Sequence, residues 1–401
     1  MAKKPLDGVK VLDLTRVLAG PYCTMVLKNL GAEIIKVERP VTGDDSRAYG
    51  PYVNGESMYF TSINRGKKSI TVDMKTEVGK KVITELIKEC DVIVENYKPG
   101  TMEKLGFGYD EVKKINPEII YSAMSGFGHT GPYSARPAYD MIVQGMGGVM
   151  SITGEPGGKP VRVGTSIGDI TAGIFGAIGI LAALYEKKGT KDDGQKVDVA
   201  MLDCQISILE NAIAKYSATG VVPGPLGAKH PSIAPFEAYK TKDSYIILAC
   251  GNDKLWAKFC KLVGKDEWIE DPRFVSNADR SSHLNELSPM MEEIFMTKTT
   301  DEWLDELIAA GLPAGPINTV DRIFKDPQVA ERHMLIEAEQ PNAGKVTVAG
   351  NPIKLSSVPA EEEVPSEPAP GLGEHTAEIL RQYVGMDEAA IEEYVNQFNV
   401  R

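Results

Sequence analysis

The chain has 401 residues, of which 42% are hydrophobic, and this is long enough for two domains with full cores. Its formal net charge of −12 argues against nucleic acid as a partner, because a polyanion would meet a mostly repulsive field. Five cysteines without a CxxC pair argue against a disulfide framework and a zinc site, and the N-terminus lacks the apolar stretch of a signal peptide, so we expect a cytoplasmic protein.

The first 125 residues alternate short β-type runs with helical patterns, which is typical of a parallel sheet with crossover helices. The predicted strands are Val9–Leu14, Glu33–Glu38, Ser69–Val72, Asp91–Val94 and Ile119–Ser122. The predicted helices lie near Tyr22–Leu30 and Val78–Lys88. Each predicted strand ends in a polar or glycine-bearing segment, and ligands bind at the carboxyl ends of such strands. We therefore expect a ligand site at this edge of the sheet.

Basic residues gather near these strand ends, namely Arg16, Arg39, Arg65, Lys67, Lys68, Lys75, Lys98 and Lys104. In an acidic protein such a cluster indicates a phosphate site, because Arg and Lys pair with phosphate oxygens. A solvated charged face remains the better explanation for most of the individual lysines. Arg39 and Lys98 are favoured as ligand contacts because they lie at strand ends. The first strand is followed by Thr15–Pro21 rather than by G-x-G-x-x-G, which does not favour a dehydrogenase.

The segment Val163–Gly173 encloses one acid, Asp169, among small residues. The run that follows, Ile170–Tyr185, has no charge and no proline, so it predicts a buried helix that is shorter than the about 20 residues of a membrane span. Asp169 is therefore expected at or just before a helix N-terminus, where free N–H groups favour an ionised, nucleophilic carboxylate. An ordinary helix cap is the alternative, and on spacing alone it is favoured. The surrounding glycines, however, leave room for a ligand to approach the backbone.

The second half of the chain indicates a smaller α+β domain. Val197–Leu202 opens a segment predicted to be helical to about Ser217, and the Gly/Pro-rich stretch Gly220–Gly227 follows as a connector. Beyond it we predict a hairpin, three helices, one strand, an extended Pro/Glu-rich segment and a last helix. In that order they are Phe236–Tyr239 with Tyr245–Cys250, Leu255–Leu262, Leu284–Phe295, Thr300–Ala309, Val346–Val348, Val358–Pro370 and Thr376–Gln382.

Two further classes of site are not expected. The five histidines form no HxxxH or HExxH pair, so we expect no metal site. We do not expect a hydrolase of the Ser-His-Asp class either.

The chain resembles the class III CoA-transferase family (CaiB/BaiF type), the group of formyl-CoA and carnitine CoA-transferases that also includes 2-methylacyl-CoA racemases. The motifs that carry this resemblance are Pro5–Thr15, Leu30–Glu38, Val94–Gly100, Gly168–Asp169 and Leu372–Thr376. The resemblance implies an α/β fold with a Rossmann-like large domain, built from both chain ends around a parallel sheet, and a smaller α+β domain. It further implies a homodimer of two chains interlocked as rings. The expected limits are 1–219 for the N-terminal part of the large CoA-binding domain, 220–330 for the small domain with its connectors, and 331–401 for a return segment that completes the large domain.

By resemblance, Asp169 is the nucleophile that attacks an acyl-CoA thioester, giving an aspartyl anhydride and then an aspartyl-CoA thioester that passes CoA to an acceptor carboxylic acid. No permanently bound cofactor is implied, since the CoA thioester is a co-substrate. The positions that match CoA contacts of the family are Leu18, Ala19, Arg39, Val72, Lys75, Asn96, Tyr97, Lys98 and Lys104. Lys104 stands where the family usually has arginine. Tyr139 is expected to contact CoA or the acyl group, with a hydrogen-bonded buried aromatic as the alternative.

Two other functions remain open from the sequence. A racemase would use a histidine and an aspartate to move a proton at the α-carbon, but Ala138–Tyr139–Asp140 places a tyrosine where that histidine is expected, and tyrosine has a pKa of about 10. A non-catalytic acyl-CoA-binding protein is the other alternative. Ala249–Asp253 lacks the glycine-rich loop of formyl-CoA transferases, so formyl-CoA and oxalate are not favoured as the substrate pair.

Overall fold

The computed structural model describes residues 3–189, 193–364 and 367–398. The chain forms two compact units. The first comprises Met1–Met150, Arg162–Gly220 and Pro327–Arg401, and the second comprises Ser151–Val161 and Val221–Asp326. The expected limits differ from this division in two segments, because 151–161 belongs to the second unit and 327–330 to the first. Gly220 also belongs to the first unit. The segment 151–161 contacts the rest of the second unit through a backbone hydrogen bond, in which the N–H of Gly227 donates to the carbonyl oxygen of Gly154 over 2.8 Å.

The strands and helices are numbered in chain order. The strands are β1 (Lys10–Asp13), β2 (Glu33–Glu38), β3 (Tyr52–Val53), β4 (Glu56–Ser57), β5 (Lys68–Thr71), β6 (Val92–Glu95), β7 (Ile120–Ser125), β8 (Lys196–Ala200), β9 (Phe236–Lys240), β10 (Tyr245–Ala249), β11 (Ala314–Pro316), β12 (Leu335–Gln340) and β13 (Gly344–Ala349). The α-helices are α1 (Ala19–Asn29), α2 (Met58–Asn64), α3 (Glu77–Glu89), α4 (Thr101–Leu105), α5 (Tyr109–Ile115), α6 (Asp140–Met146), α7 (Val149–Ile152), α8 (Ile167–Gly189), α9 (Met201–Ser207), α10 (Asn211–Thr219), α11 (Asp253–Leu262), α12 (Glu267–Glu270), α13 (Asn277–Ser282), α14 (Leu284–Phe295), α15 (Thr300–Ala309), α16 (Val320–Ile323), α17 (Pro327–Glu331), α18 (Thr376–Ile379) and α19 (Glu388–Phe398).

A parallel sheet of six strands forms the centre of the first unit, in the order β5-β2-β1-β6-β7-β8. In its middle, Leu12 of β1 stands opposite Ile35 of β2 and Ile93 of β6. These residues are buried, as expected for strands covered by helices on both faces. The expectation of an α/β fold with a large parallel sheet is confirmed.

The edge strand β8 corrects the sequence analysis. The segment from Val197 was predicted to open a helical segment, but it pairs in parallel with β7 up to Ala200, and helix α9 begins only at Met201. Val197 and Val199 alternate with polar residues, and both pack on the core beside α8. Period-two alternation of β-branched residues favours a strand, and the sheet edge supplies its hydrogen-bond partner.

Helix α8 is longer than the predicted Ile170–Tyr185 and packs closely on α1. A Cβ atom at Gly173 would lie only 2.8 Å from the carbonyl oxygen of Ala19, so glycine permits this contact. The sequence predicted that this segment is too short to span a membrane. That prediction is wrong, because Ile167–Lys188 is long and apolar enough for a span, by length and composition only, and 44% of its apolar stretch is buried. A core helix passes the same test, and the contact with α1 places the start of α8 beside the start of α1.

The second unit has an antiparallel sheet in the order β11-β10-β9, and the predicted hairpin is its β9–β10 pair. Helices α11, α14 and α15 cover this sheet with an aromatic core. Trp256, Phe259, Phe295 and Trp303 are buried in one cluster. The expected helices and the hairpin of this region are therefore present.

The C-terminal segment returns to the first unit and packs along β5. The backbone N–H of Gly373 donates to Ser69 Oγ over 3.0 Å, and the N–H of Thr71 donates to Thr376 Oγ1 over 3.3 Å. Ile379 and Tyr394 complete the core beneath the sheet. The Leu372–Thr376 motif thus joins the chain end to the edge strand of the sheet.

Candidate active site

Asp169 lies in the first turn of α8, as its third residue. It is not an N-cap, since the helix already begins at Ile167. Among the described residues, no hydrogen bond or ion pair holds its carboxylate. Burial, and then the negative charge of Asp140, raises the pKa of Asp169 to about 7. The sequence analysis expected the helix start to favour the ionised carboxylate, but burial and the charge of Asp140 shift the pKa the other way, and no cation in the described chain opposes them.

Asp140, the first residue of α6, accepts a backbone N–H at the start of α8, which is the capping role that the sequence analysis considered for Asp169. Its Oδ1 accepts the N–H of Gly168 over 2.8 Å, and its Oδ2 accepts Gln144 Nε2 over 2.8 Å. Arg162 Nη1 lies 3.6 Å from the same carboxylate. A Cβ atom at Gly168 would lie 2.7 Å from Val143 Cγ2, which explains the glycine before Asp169. Asp140 thus satisfies the start of α8 and leaves Asp169 free.

Tyrosines of the first unit lie near Asp169. Burial, and then the charge of Asp169, raises the pKa of Tyr59 to about 12, and the ring of Tyr49 meets that of Tyr59 edge-on at 5.6 Å between centroids. A largely apolar cavity of about 660 Å³ opens beside them. Leu18, Tyr59 and Ile170 line it, whereas Asp169 itself does not. The start of α8 therefore adjoins a space for an apolar chain.

A second cavity, of about 530 Å³, lies at the carboxyl ends of β2, β5 and β6. Three cationic side chains line it, namely Arg39, Lys75 and Lys104, together with Val72 and the ring of Tyr97. This combination suits a ligand with phosphate groups and an apolar or aromatic part. The sequence expectation of a ligand site at the strand ends agrees with this position.

The loop between β1 and α1 is held rigidly beside this cavity. Asn96 accepts the N–H of Arg16 over 2.9 Å and donates to its carbonyl oxygen over 2.7 Å. Asp44 Oδ1 accepts the N–H of Val17, a β-branched residue with φ of 66°. Such a backbone conformation is costly and persists only where the surroundings enforce it. These contacts fix the position of Leu18 and of the start of α1.

The cysteines and the metal-binding side chains offer no competing chemistry in the described parts of the chain. All five cysteines are free and buried. Within residues 3–189, 193–364 and 367–398, no three His, Cys, Asp or Glu side chains are arranged to hold a metal ion.

Comparison with known proteins decides the family. The sequence model of CoA-transferase family III matches residues 6–376. The chain belongs to CoA-transferase family III. Acetyl-CoA:oxalate CoA-transferase of Acetobacter aceti is 43% identical over 382 residues, which cover 95% of this chain and 96% of that protein. Succinyl-CoA:glutarate CoA-transferase of Homo sapiens is 41% identical over 394 residues, covering 98% and 89%. A crystal structure of a CAIB/BAIF family protein from Brucella suis matches with a TM-score of 0.84 at 41% identity, covering 95% of this chain and 99% of that one.

The resemblance stated from the sequence motifs is confirmed, and the protein is a CoA-transferase, for which CoA thioesters are co-substrates. The structure brings together half of the expected CoA contacts of this CoA-transferase. Arg39, Val72, Lys75, Tyr97 and Lys104 line the cavity of about 530 Å³.

The other expected contacts of the CoA-transferase lie elsewhere in the first unit. Leu18 lines the apolar cavity, and Ala19 is buried at the start of α1. Asn96 is engaged with the backbone of Arg16, and Lys98 is exposed. Tyr139 is 74% exposed just before α6, so the alternative of a buried aromatic does not apply in the single chain.

Sequence reasoning missed several residues around the site of this CoA-transferase. Asp140 was noted only beside Tyr139, and Tyr59 was not singled out. Glu95 is buried at the end of β6, where it accepts the N–H of Tyr97 over 2.7 Å, and burial raises its pKa to about 8. An acid that ends an apolar strand inside a family motif was the available signal for Glu95. For Tyr59 no local signal existed.

Proposed function

We propose that Asp169 is the nucleophile of this CoA-transferase. The observation that carries the proposal is a carboxylate in the first turn of α8 that has neither a hydrogen-bond donor nor a cation as partner in the described chain. An unpaired carboxylate keeps its lone pairs available for attack, and the helix start supplies N–H groups toward developing negative charge. Asp140 supports this role by satisfying the backbone of Gly168.

The proposed reaction divides the transfer into balanced acyl exchanges. The Asp169 carboxylate attacks the thioester carbonyl of the donor, the C–S bond breaks, and a mixed anhydride and CoA thiolate form. The thiolate then attacks the aspartyl carbonyl, which releases the donor acid and leaves an aspartyl-CoA thioester. The acceptor carboxylate attacks this thioester, and the returning thiolate attacks the acceptor's carbonyl in the second anhydride. The new acyl-CoA leaves, and Asp169 is a carboxylate again.

The proposed CoA site is the cavity of about 530 Å³, which we call the CoA cleft, with its neighbouring residues. Arg39, Lys75 and Lys104 supply positive charge for the phosphates of CoA, and Tyr97 and Val72 supply contact area. Lys104 can contribute charge without the bidentate geometry of arginine. The remaining expected contacts, at Leu18, Ala19, Asn96, Lys98 and Tyr139, stay proposals of the same kind.

For the substrates, we propose an acyl-CoA donor and a dicarboxylic acid acceptor. Support comes from the names of the relatives, in which oxalate and glutarate are the acceptors and acetyl-CoA and succinyl-CoA the donors. For the assembly, we propose the interlocked homodimer. Ile174, Phe175 and Ile178 on α8 remain partly exposed in the single chain, and α10 buries none of its residues. Light scattering should give twice the mass of the chain, and a monomer would contradict the assembly.

The nucleophile is tested by trapping. The enzyme is incubated with a panel of acyl-CoAs, quenched with hydroxylamine, digested, and the peptide containing Asp169 is examined by mass spectrometry. We expect a hydroxamate at Asp169, because hydroxylamine attacks the aspartyl thioester. Asp169→Asn should lower kcat by roughly 10⁴-fold or more while CoA binding stays near the wild-type value.

Three results would argue against this assignment. An adduct on another residue would move the nucleophile. Solvent deuterium at the substrate's α-carbon without any adduct would favour proton transfer of the racemase type. CoA binding with neither adduct nor exchange would favour a binding protein.

A further inference from the structure

One carboxylate near the CoA cleft bridges two arginines. Asp45 Oδ2 accepts Arg16 Nη1 over 2.6 Å, and Asp45 Oδ1 accepts Arg39 Nη2. Arg39 lines the CoA cleft. Arg16 does not, but its guanidinium lies 5.7 Å from the centroid of the Tyr97 ring, which does. Arg16 and Arg39 therefore lie beside the proposed phosphate site, and both are paired with the carboxylate of Asp45.

The backbone of Arg16 and the residue before Asp45 are held in place, whereas the guanidinium groups of Arg16 and Arg39 are partly exposed. Asn96 holds both the N–H and the carbonyl of Arg16. Asp44, next to Asp45, is anchored by Lys36 at 2.8 Å and caps the short helix that Asp45 begins. In contrast, the side chains of Arg16 and Arg39 are 45% and 55% exposed. A ligand therefore has to draw the guanidinium groups away from Asp45 and, for Arg39, also from the carbonyl oxygen of Gly43, which accepts from it over 3.4 Å.

The charges favour such an exchange. Ion pairs between exposed side chains are weak because water screens them and because both long chains lose freedom. A phosphate monoester, such as the 3′-phosphate of CoA, carries more charge than a carboxylate, and phosphate oxygens accept paired hydrogen bonds from guanidinium groups. Two arginines released from one carboxylate can therefore be taken over by a phosphate at a small net cost.

We infer that Asp45 holds Arg16 and Arg39 in the free enzyme as an internal competitor, and that a phosphate group of CoA displaces it, which makes Arg16 a further CoA-binding residue. This inference rests on the proposed CoA site. It assigns Asp45 a negative contribution to affinity: each binding event breaks two ion pairs, and each release restores them.

The test compares CoA binding by isothermal titration calorimetry in the full-length protein. Asp45→Asn removes the charge and keeps the shape, so CoA should bind about 3- to 10-fold more tightly. Pantetheine, which has no phosphate, should bind as to the wild type, and 3′-dephospho-CoA shows which phosphate is involved. Arg16→Gln should weaken CoA binding about 3- to 10-fold. In the double variant the gain from Asp45→Asn should be smaller.

Glu111→Gln is the matched control. It also removes one negative charge, from an exposed pair in which Lys114 Nζ lies 2.6 Å from Glu111 Oε1, and it should leave CoA affinity unchanged. This comparison separates a local effect at the arginines from a general change of the protein's field.

Three outcomes would overturn the inference: equal or weaker CoA binding by Asp45→Asn with an unchanged melting temperature, an equal gain for pantetheine, or unfolding of both Asp45→Asn and Asp45→Ala, which would make Asp45 structural. Failure of the proposed CoA site looks different, because the wild type itself would then bind no CoA.

Discussion

Buried acids occur in two regions of the first unit, and the surroundings of the two differ. At the ends of β1 and β2, Asp13 and Asp44 lie among lysines. Lys67 Nζ is 3.2 Å from Asp13 Oδ2, and Lys36 Nζ is 2.8 Å from Asp44 Oδ2. At the start of α8, Asp169 has an acid, Asp140, as its charged neighbour.

The pKa values move in opposite directions in the two regions. Burial acts to raise the pKa of Asp13 and of Asp44, but the neighbouring lysines outweigh it, so both values lie below the usual range. For Asp169 burial and a like charge act together and raise the value to about 7. Burial alone therefore does not decide the chemistry of an acid; its partners do. Asp13 and Asp44, which are paired with lysines, stabilise the loops around them. Asp169, which has no such partner, is available for reaction.

The largest effect on stability is expected from removing a lysine that pairs with one of the buried acids. Lys67→Met removes a buried ammonium that also donates to Pro21 O over 3.0 Å and to Thr24 Oγ1 over 2.8 Å. Because Asp13 would lose its direct ion pair and keep only the charge of Lys36 and the hydrogen bonds of Thr15 and Thr24, the free energy of unfolding should fall by about 3–5 kcal/mol. Urea unfolding at pH 7 measures it.

The control for Lys67 is Lys80→Met, since Lys80 forms an exposed pair with Glu77 at 2.9 Å. It should change stability by no more than about 0.5 kcal/mol. A loss of under about 1 kcal/mol in Lys67→Met would show that the buried pair does not support the strand ends.

A smaller effect of opposite sign is expected at α8. Asp169 has a folded-state pKa near 7, above the unfolded value of 3.8, so the folded protein loses stability as pH rises from about 4 to 7. Asp169→Asn has no such loss. At pH 8 the free energy of unfolding of this variant should be about 1–2 kcal/mol higher than that of the wild type, and below pH 4 the two values should agree. Urea unfolding across this pH range measures the difference, and a pH-independent difference would contradict the raised pKa.

The smallest effect concerns the coupling between Asp169 of α8 and Asp140 of α6. Asp140→Asn removes the like charge, so the pKa of Asp169 should move down, by no more than about one unit because burial is the larger cause. The acidic limb of the kcat profile should shift with it, toward lower pH. Glu111→Gln, which is remote from α8 in sequence and exposed, should leave the profile in place. An unshifted limb in Asp140→Asn would mean that the limb reports another group.

Much of the first unit was predictable because its elements depend on local patterns. Of the five predicted strands, Glu33–Glu38 coincides with β2, and three others differ from the observed strands by one residue at each end. The fifth covers the start of β7. The edge strand β8 was missed, because its alternation is short and its identity depends on pairing with β7. Five of the expected CoA contacts meet in one cavity because strand ends of a parallel sheet share an edge.

By itself, the sequence determined the α/β class, the family motifs and the placement of Asp169 at the start of a helix, since an uncharged, proline-free run of that length favours a helix. The expectation that this helix is buried was only partly right, because Ile174, Phe175 and Ile178 remain partly exposed in the single chain. Only the tertiary structure decided which acid is free. Asp140 accepts the N–H of Gly168, which lies 28 positions later in the chain. Asp45 accepts hydrogen bonds from both Arg16 and Arg39. Local spacing does not encode such partners, because they are set by how helices and strand ends pack in space.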